Sequence, residues 1–458
     1  MPDDTATSHD AAALLEADQA HLIHPLHHPQ EHEAPLLLTE GSGAVLRDAQ
    51  GREYLDGLSS LWNVNLGHGR PELAEAASEQ MRRLAYASAY VGLTNAPAAR
   101  LAGRLIRLAY PNLSGVYFTT GGAESNESAF KIARYYWRRR GRPEKTKVIA
   151  RWHAYHGVTL AAMSATGIPA YHTMFRPTVP GFVHVTPPYP YRHPGQAADA
   201  VAEAIEREGP ETVAAVIAEP VMGAGGVIVP PPDYFPRLRQ VCDRYEVLLI
   251  ADEIITGFGR TGRWFALDHW GVQPDLVTFA KGVTSAYLPL GGVMVSRAIH
   301  RAILEAPPAE RFMHAATYSA HPTCCAVGVR ALELYEREGL VERAAVMGHR
   351  LLEGLRSALA DLQAVGEVRG LGLMCGVEFV ADRATKAPAL GYGTRVLAEA
   401  RRRGLLTRIR VGSAGEYPIG DTLLLAPPLV VTEAQVDRIV EIVRDAIRAA
   451  GAPARPGP

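Results

Sequence analysis

The chain has 458 residues, with 47 Lys plus Arg against 48 Asp plus Glu, a formal charge of -1 and 47% hydrophobic residues. Near charge balance without a long basic stripe excludes the electrostatic footprint of sequence-independent nucleic-acid or anionic-membrane binding, and no uncharged apolar run reaches the roughly 18 residues of a spanning helix. Cys242, Cys324, Cys325 and Cys375 form no Cys-x-x-Cys pair, and residues 1–9 are polar and acidic rather than leader-like, so a reduced, cytoplasmic protein of more than one domain is expected.

In chain order, a hairpin is expected first, from residues 44–47 and 53–55 around a turn at 48–51. From about residue 73 to 295, short apolar runs alternate with amphipathic, helix-length stretches. The runs are 116–119, 148–150, 183–185, 213–217, 247–251, 276–280 and 292–295. They are continuously apolar rather than alternating, which is how strands buried on both faces read. A largely parallel seven-stranded sheet with helices on each side follows, an α/β fold. One helix is well marked: Ala129, Ile132, Ala133 and Tyr136 share a face, Glu124 and Glu127 open it, and Gly141 and Pro143 stop it. After about residue 325 come helices at 327–338 and 340–359, strands at 365–368 and 374–379, and a last helix opened by Thr432-Glu-Ala-Gln435, a capping box. The expected division is an N-terminal segment 1–72, a large domain 73–330 and a C-terminal segment 331–458, the two ends together forming a smaller α+β domain.

The polar residues fall where these runs end. Residues 116–119 lead into Thr120-Gly-Gly-Ala-Glu124, 148–150 into Arg151-Trp-His-Ala-Tyr-His-Gly157, 213–217 into Ala218-Glu219-Pro220, 247–251 into Asp252-Glu253, and 276–280 into Lys281-Gly282. Open parallel sheets bind ligands at the carboxyl ends of their strands. Each residue alone has a plain structural reading: a tight turn, a helix cap, a solvated lysine, a core aromatic such as Trp152 or Tyr155. Together they supply a lysine for a Schiff base, an acid for a protonated pyridine nitrogen, an aromatic face and an anion-binding helix end, the four needs of pyridoxal phosphate.

The stretches Phe118-Thr-Thr-Gly-Gly-Ala-Glu-Ser-Asn126, Tyr155-His-Gly157, Glu219-Pro220, Ile250-Ala-Asp-Glu-Ile-Ile-Thr-Gly-Phe-Gly-Arg-Thr-Gly262, Ala280-Lys-Gly282, Thr317-Tyr-Ser319 and Ala426-Pro-Pro428 resemble the class III aminotransferases, fold-type I enzymes that use pyridoxal 5'-phosphate. Within that family the chain is most similar to ω-amino acid or amine:pyruvate transaminases, through Asp56-Gly-Leu-Ser-Ser-Leu-Trp-Asn-Val-Asn65 and Gly223-Ala-Gly-Gly-Val-Ile-Val-Pro-Pro231. The resemblance implies that Lys281 binds the cofactor and shuttles the proton, and that Asp252 keeps the ring nitrogen protonated. It also implies that Tyr155 and Ile254 sandwich the ring, that Gly122 and Ala123 bind phosphate through their amides, and that Glu219 belongs to the cofactor site. Thr317 would reach the partner subunit's phosphate, making a homodimer the minimum unit, with tetramers left open. Leu61, Trp62 and Tyr90 would line the substrate pocket. The activity implied is transfer of an amino group from a primary amine or ω-amino acid to a small keto acid such as pyruvate. An aminomutase or decarboxylase on the same fold is the alternative, and a non-catalytic binding protein the remaining one.

Three departures from the family pattern stand out. Ala123 replaces a frequent Ser, Ala315-Ala316 replaces Gly-Phe, and Tyr417 stands where a mobile carboxylate-binding Arg is usual. Arg408 is the candidate replacement, with Arg410 or no arginine as alternatives. The N-terminal histidines His9, His21, His24, His27, His28 and His32 read as structural or dimer-edge groups rather than a metal site, because Pro25 and Pro29 interrupt the helix that would align them.

Overall fold

The computed structural model describes residues 8–26, 28, 30, 35–90 and 92–454. A seven-stranded sheet organises the chain. Its strands are β1 (Leu113–Thr119), β2 (Lys147–Arg151), β3 (Phe182–Val185), β4 (Val213–Ala218), β5 (Leu248–Asp252), β6 (Leu276–Phe279) and β7 (Gly291–Ser296), in the order β1-β7-β6-β5-β4-β2-β3. All seven expected strands are present, with ends shifted by at most three residues. Only β7 runs against its neighbours, pairing antiparallel with both β1 and β6, while β2 to β6 pair in parallel.

Both faces of the sheet are covered, which explains the unbroken apolar runs. In β5, Leu248 and Ile250 join one core cluster with Ala129, Ile132, Ala133 and Trp137, while Leu249 and Ala251 join another with Phe235, Leu238 and Phe279. Burial of one such side chain contributes roughly 1.5 to 3 kcal/mol. The helix Gly122–Arg139 begins at Gly122 itself, so Glu124 lies in its first turn and Glu127 beyond it. Glu127 instead serves the short helix Leu160–Ala165: its Oε1 accepts from Thr159 Oγ1 at 2.7 Å and from the amides of Ala161 and Ala162 at 2.9 and 3.2 Å.

The chain ends meet in one sheet. Strands Leu38–Ser42, Val45–Asp48 and Glu53–Asp56 form an antiparallel meander, and Leu405–Leu406 joins Glu53–Asp56 in parallel. Beyond the helices Pro322–Arg337 and Leu340–Ala358 lies an antiparallel sheet of Val365–Gly370, Cys375–Asp382, Thr422–Leu425 and Arg408–Arg410. The final helix, Glu433–Ala449, carries the expected capping box between Thr432 and Gln435. Among the described residues, no helix is long and apolar enough to cross a membrane, and the four cysteines are free and buried. His27, His32 and the His9 side chain lie outside the described residues, while His24 Nε2 lies 3.0 Å from Asp18 Oδ2.

Candidate active site

Five segments that follow strands β1, β2, β4, β5 and β6 enclose one cavity of about 200 Å³. Gly122 and Ala123 come from the first, Tyr155, His156, Gly157 and Val158 from the second, Glu219 from the third, Asp252, Ile254 and Ile255 from the fourth and Lys281 from the fifth. The loops are in close contact. A Cβ on Gly157 would stand 2.6 Å from Ala123 Cβ, and one on Gly122 would stand 2.9 Å from Ile254 Cδ1. Gly157 has φ +122°, open to glycine and to little else.

Asp252 is buried and held by three donors. Asn126 Nδ2 and His156 Nδ1 converge on Oδ2 at 2.9 and 2.7 Å, and the Ile254 amide reaches Oδ1 at 3.2 Å. Glu219, equally buried, accepts from the Tyr155 amide on Oε1 and the Gly223 amide on Oε2, both at 3.0 Å. Burial raises the Glu219 carboxyl above its ordinary range. Lys281 opens a short 3₁₀ turn with φ +44°, a strained backbone for a non-glycine residue. Burial lowers its ammonium pKa, against the pull of Asp252 and Glu219, toward the neutral nucleophilic amine. No side chain caps the helix at Gly122, so its first-turn amides and the positive helix end suit an anion. Tyr155 is half-buried and its ring meets that of Tyr171 at 5.4 Å. Burial pushes the Tyr155 hydroxyl up to about 12.

This constellation combines a desolvated lysine amine, two buried acids, an aromatic wall and an uncapped helix end. The aminotransferase class-III family signature matches residues 27–447. The chain is a class III aminotransferase. It is 40% identical over 448 residues to the diaminobutyrate–2-oxoglutarate transaminase of Halomonas elongata, covering 93% of this chain and 94% of that protein. To the putrescine–pyruvate aminotransferase of Pseudomonas aeruginosa it is 36% identical, over 89% of each. Among solved structures, an (S)-enantioselective ω-transaminase from Thermomicrobium roseum matches with a TM-score of 0.91 and 47% identity, over 96% of this chain and 99% of that one. The ω-transaminase of Pseudomonas jessenii in complex with PMP matches with a TM-score of 0.91 and 37% identity, over 95% and 98%.

Class III aminotransferases have the fold-type I architecture and use pyridoxal 5'-phosphate. The residues of this aminotransferase suit that group: Lys281, Asp252, Glu219, Tyr155, Ile254, Gly122 and Ala123 all line the one cavity. The other expected site residues lie outside it. Trp62 is buried in a cluster with Val221, Val227 and Met374, and the same cluster contains Ile255 of the cavity wall. Leu61 and Tyr90 are each 45% exposed, and Thr317 is exposed, its carbonyl accepting from Tyr86 Oη at 2.6 Å.

The two arginine candidates separate. Arg410 is buried, donates from Nη2 to His153 Nδ1 at 3.1 Å and from Nη1 to the Val411 carbonyl. Arg408 is exposed, and its charge acts on the hydroxyls of both Tyr155 and Tyr171. Tyr417 is held by Thr186, its Oη 3.2 Å from Oγ1, and lies nearly parallel to Trp152. His156 and Asn126 had no role in the sequence reading although both lie inside the quoted stretches. Their convergence on Asp252 spans 96 and 126 residues of chain and carries no local signal.

Proposed function

We propose that this aminotransferase moves an amino group from a primary amine or ω-amino acid to a small keto acid such as pyruvate. The observation that carries the reading is the amine of Lys281, lowered in pKa by burial, in one cavity with two buried acids. The names of relatives support the donor class: diaminobutyrate, putrescine and γ-aminobutyrate each bear a terminal primary amine. Bound in the cavity, pyridoxal phosphate supplies an aldehyde for the amine and a ring that accepts an electron pair when the substrate loses its C–H proton.

The chain's own residues do the rest. Lys281 Nζ takes up and returns that proton. Asp252, oriented by Asn126 and His156, holds a proton on the ring nitrogen, while Tyr155 and Ile254 wall the two ring faces. The amides of Gly122 and Ala123 bind phosphate at the helix end, and Glu219 keeps the Tyr155 loop in place through its amide. Arg408 meets the keto-acid carboxylate at the mouth, since Arg410 is committed to His153. Leu61, Trp62 and Tyr90 shape the substrate side.

Thr317, exposed and outside its own cavity, serves the second copy in a homodimer. Exposed apolar side chains such as Leu93 and Met313, 62% and 80% exposed, support that association. Four buried free thiols support a cytoplasmic setting. The pairing of Leu405–Leu406 with Glu53–Asp56 supports reading 1–72 with 331–458 as one smaller domain beside 73–330.

The test is a half-reaction with putrescine or γ-aminobutyrate. The wild type should accumulate pyridoxamine phosphate and release a carbonyl product, and Lys281→Ala should lose the visible absorbance of lysine-bound cofactor. Failure to accumulate the pyridoxamine form with either amine would overturn the reading. Arg408→Ala should raise KM for pyruvate at least ~10-fold, about the worth of a charge-assisted hydrogen bond, while leaving KM for putrescine unchanged.

A further inference from the structure

Arg260 is fully buried, yet none of its hydrogen-bond acceptors is a carboxylate. Nη1 donates to the carbonyls of Leu373 and Pro427 at 3.2 and 2.6 Å; Nη2 donates to Ser59 Oγ at 2.8 Å and Asn65 Oδ1 at 2.7 Å; Nε has no partner. A buried cation with no carboxylate among its acceptors is costly, and an apolar residue of similar volume often serves stability as well. What the guanidinium does that an apolar residue cannot is tie separate segments together in fixed geometry.

The segments it ties are strained. Ser59, Ser60 and Trp62 have φ of +48°, +55° and +63°; Lys281, Ser285 and Ala286 have +44°, +53° and +63°; Phe258 has +60°. These are seven of the thirteen non-glycine residues with positive φ among the described residues, so strain is concentrated here. Asn65 packs between the two turns. Its Oδ1 accepts from Arg260, its Nδ2 donates to the Phe258 carbonyl at 3.2 Å, and the same nitrogen lies 2.8 Å from where a Gly282 Cβ would stand. The next amide, Leu66, donates to Ser285 Oγ at 2.8 Å. Trp62, on the first turn, packs in the cluster that contains Ile255 of the cavity wall.

We propose that Arg260 is a positioning residue which, through Ser59 Oγ and Asn65 Oδ1, holds the turn bearing Trp62 and the turn bearing Lys281 in one fixed relation. It thereby sets both the cavity wall and the amine. The proposal rests on the assignment of Lys281 above. Four links follow from it. Loss of the Asn65 link disturbs Lys281 and so acts on kcat. Loss of the Ser59 link loosens the wall and so acts on KM. Arg260→Met breaks both. Arg260→Lys restores a charge but not the two-pronged fork, so it rescues little.

The experiment compares holoenzymes of wild type, Arg260→Met, Arg260→Lys, Asn65→Ala and Ser59→Ala by steady-state kinetics and by hydrogen exchange across residues 59–66 and 281–286. Asn65→Ala should lower kcat about 10- to 100-fold at near-constant amine KM, the scale of a small misplacement of a reacting group. Ser59→Ala should raise amine KM several-fold at near-constant kcat. In Arg260→Met, amide exchange should accelerate at least ~10-fold in both turns together, reporting a lost coupling that activity alone does not measure. Unchanged exchange in both turns, or wild-type kcat and KM in Asn65→Ala and Ser59→Ala, would overturn the proposal. Should Arg260→Met fail to fold, those two variants decide, because each leaves the guanidinium its carbonyl acceptors. A Lys281→Ala protein that keeps the lysine-bound absorbance would refute the assignment of Lys281 instead, and would leave the exchange result standing.

Discussion

Replacing Lys281 with Met should make the cofactor-free protein more stable while abolishing turnover. Methionine has a similar unbranched reach and inherits the same φ of +44°, so the backbone strain cancels between the two proteins. The difference left is the buried amine, whose pKa is lowered chiefly by desolvation. Removing such a group at a functional site typically gains about 1 to 2 kcal/mol. At roughly 2.1 cal/mol/K per residue, a chain of 458 residues has an unfolding entropy of about 1 kcal/mol/K, so Tm should rise by about 1 to 2 °C near pH 7. The sign with pH is fixed by linkage. The unfolded chain holds the Lys281 proton up to its ordinary value of 10.5, and the folded chain releases it earlier. Wild-type stability therefore climbs with pH between the lowered folded value and 10.5, and the variant has no such slope. The advantage of Lys281→Met should be greatest at neutral pH and shrink toward pH 10.5. Scanning calorimetry of both cofactor-free proteins at pH 7 and pH 10 measures it; a less stable variant, or an advantage that does not change with pH, would refute the reasoning.

Three further outcomes are expected. Asp252→Asn should keep stoichiometric cofactor, by absorbance after dialysis, but lose about 10²- to 10³-fold in kcat, the usual cost of removing one oriented electrostatic group; full activity would remove Asp252 from its role. Gly157→Ala forces a Cβ to within 2.6 Å of Ala123 Cβ at φ +122° and should weaken cofactor binding at least ~10-fold, about 1.4 kcal/mol, in equilibrium dialysis; an unchanged Kd would show that the loop yields freely. Because the Tyr155 hydroxyl stays protonated up to about pH 12, Tyr155→Phe should leave the alkaline limb of the kcat–pH profile where it is through pH 10.5, and a shifted limb would contradict that.

Strand positions were legible because burial on both faces leaves runs such as Val-Ala-Ala-Val-Ile with no polar interruption. Strand direction was less so. Only about ten residues separate β6 from β7, too few for a parallel crossover, and the antiparallel course of β7 lies in that connection rather than in its own side chains. The strand Leu38–Ser42 escaped notice because its Leu-Thr-Glu-Gly-Ser has no alternation and its residues are mostly exposed. The helix Ser8–His21 likewise has no apolar face to mark it. At the site, residues that end strands could be read from position: Asp252, Glu219 and Lys281 each close an apolar run. Residues that act by reaching across the fold could not. His156, Asn126 and Arg260 find their partners 96, 126 and 195 residues away, distances that leave no local pattern.

The pairing of Leu55 with Leu405 has a bearing on biosynthesis. The two are 350 residues apart, so at about 5 to 20 residues per second the Glu53–Asp56 strand is made roughly 20 to 70 s before the strand that covers its edge. Ser59 waits longer still, 367 residues, for the carbonyl of Ala426, and Arg260 waits 167 residues for that of Pro427. A ribosome that stops between residues 281 and 405 has already produced every residue lining the cavity, yet leaves an open strand edge and two unbraced turns. Such nascent chains are the ones on which folding helpers and proteases should act, and the residues from 405 onward decide whether those before them become an enzyme.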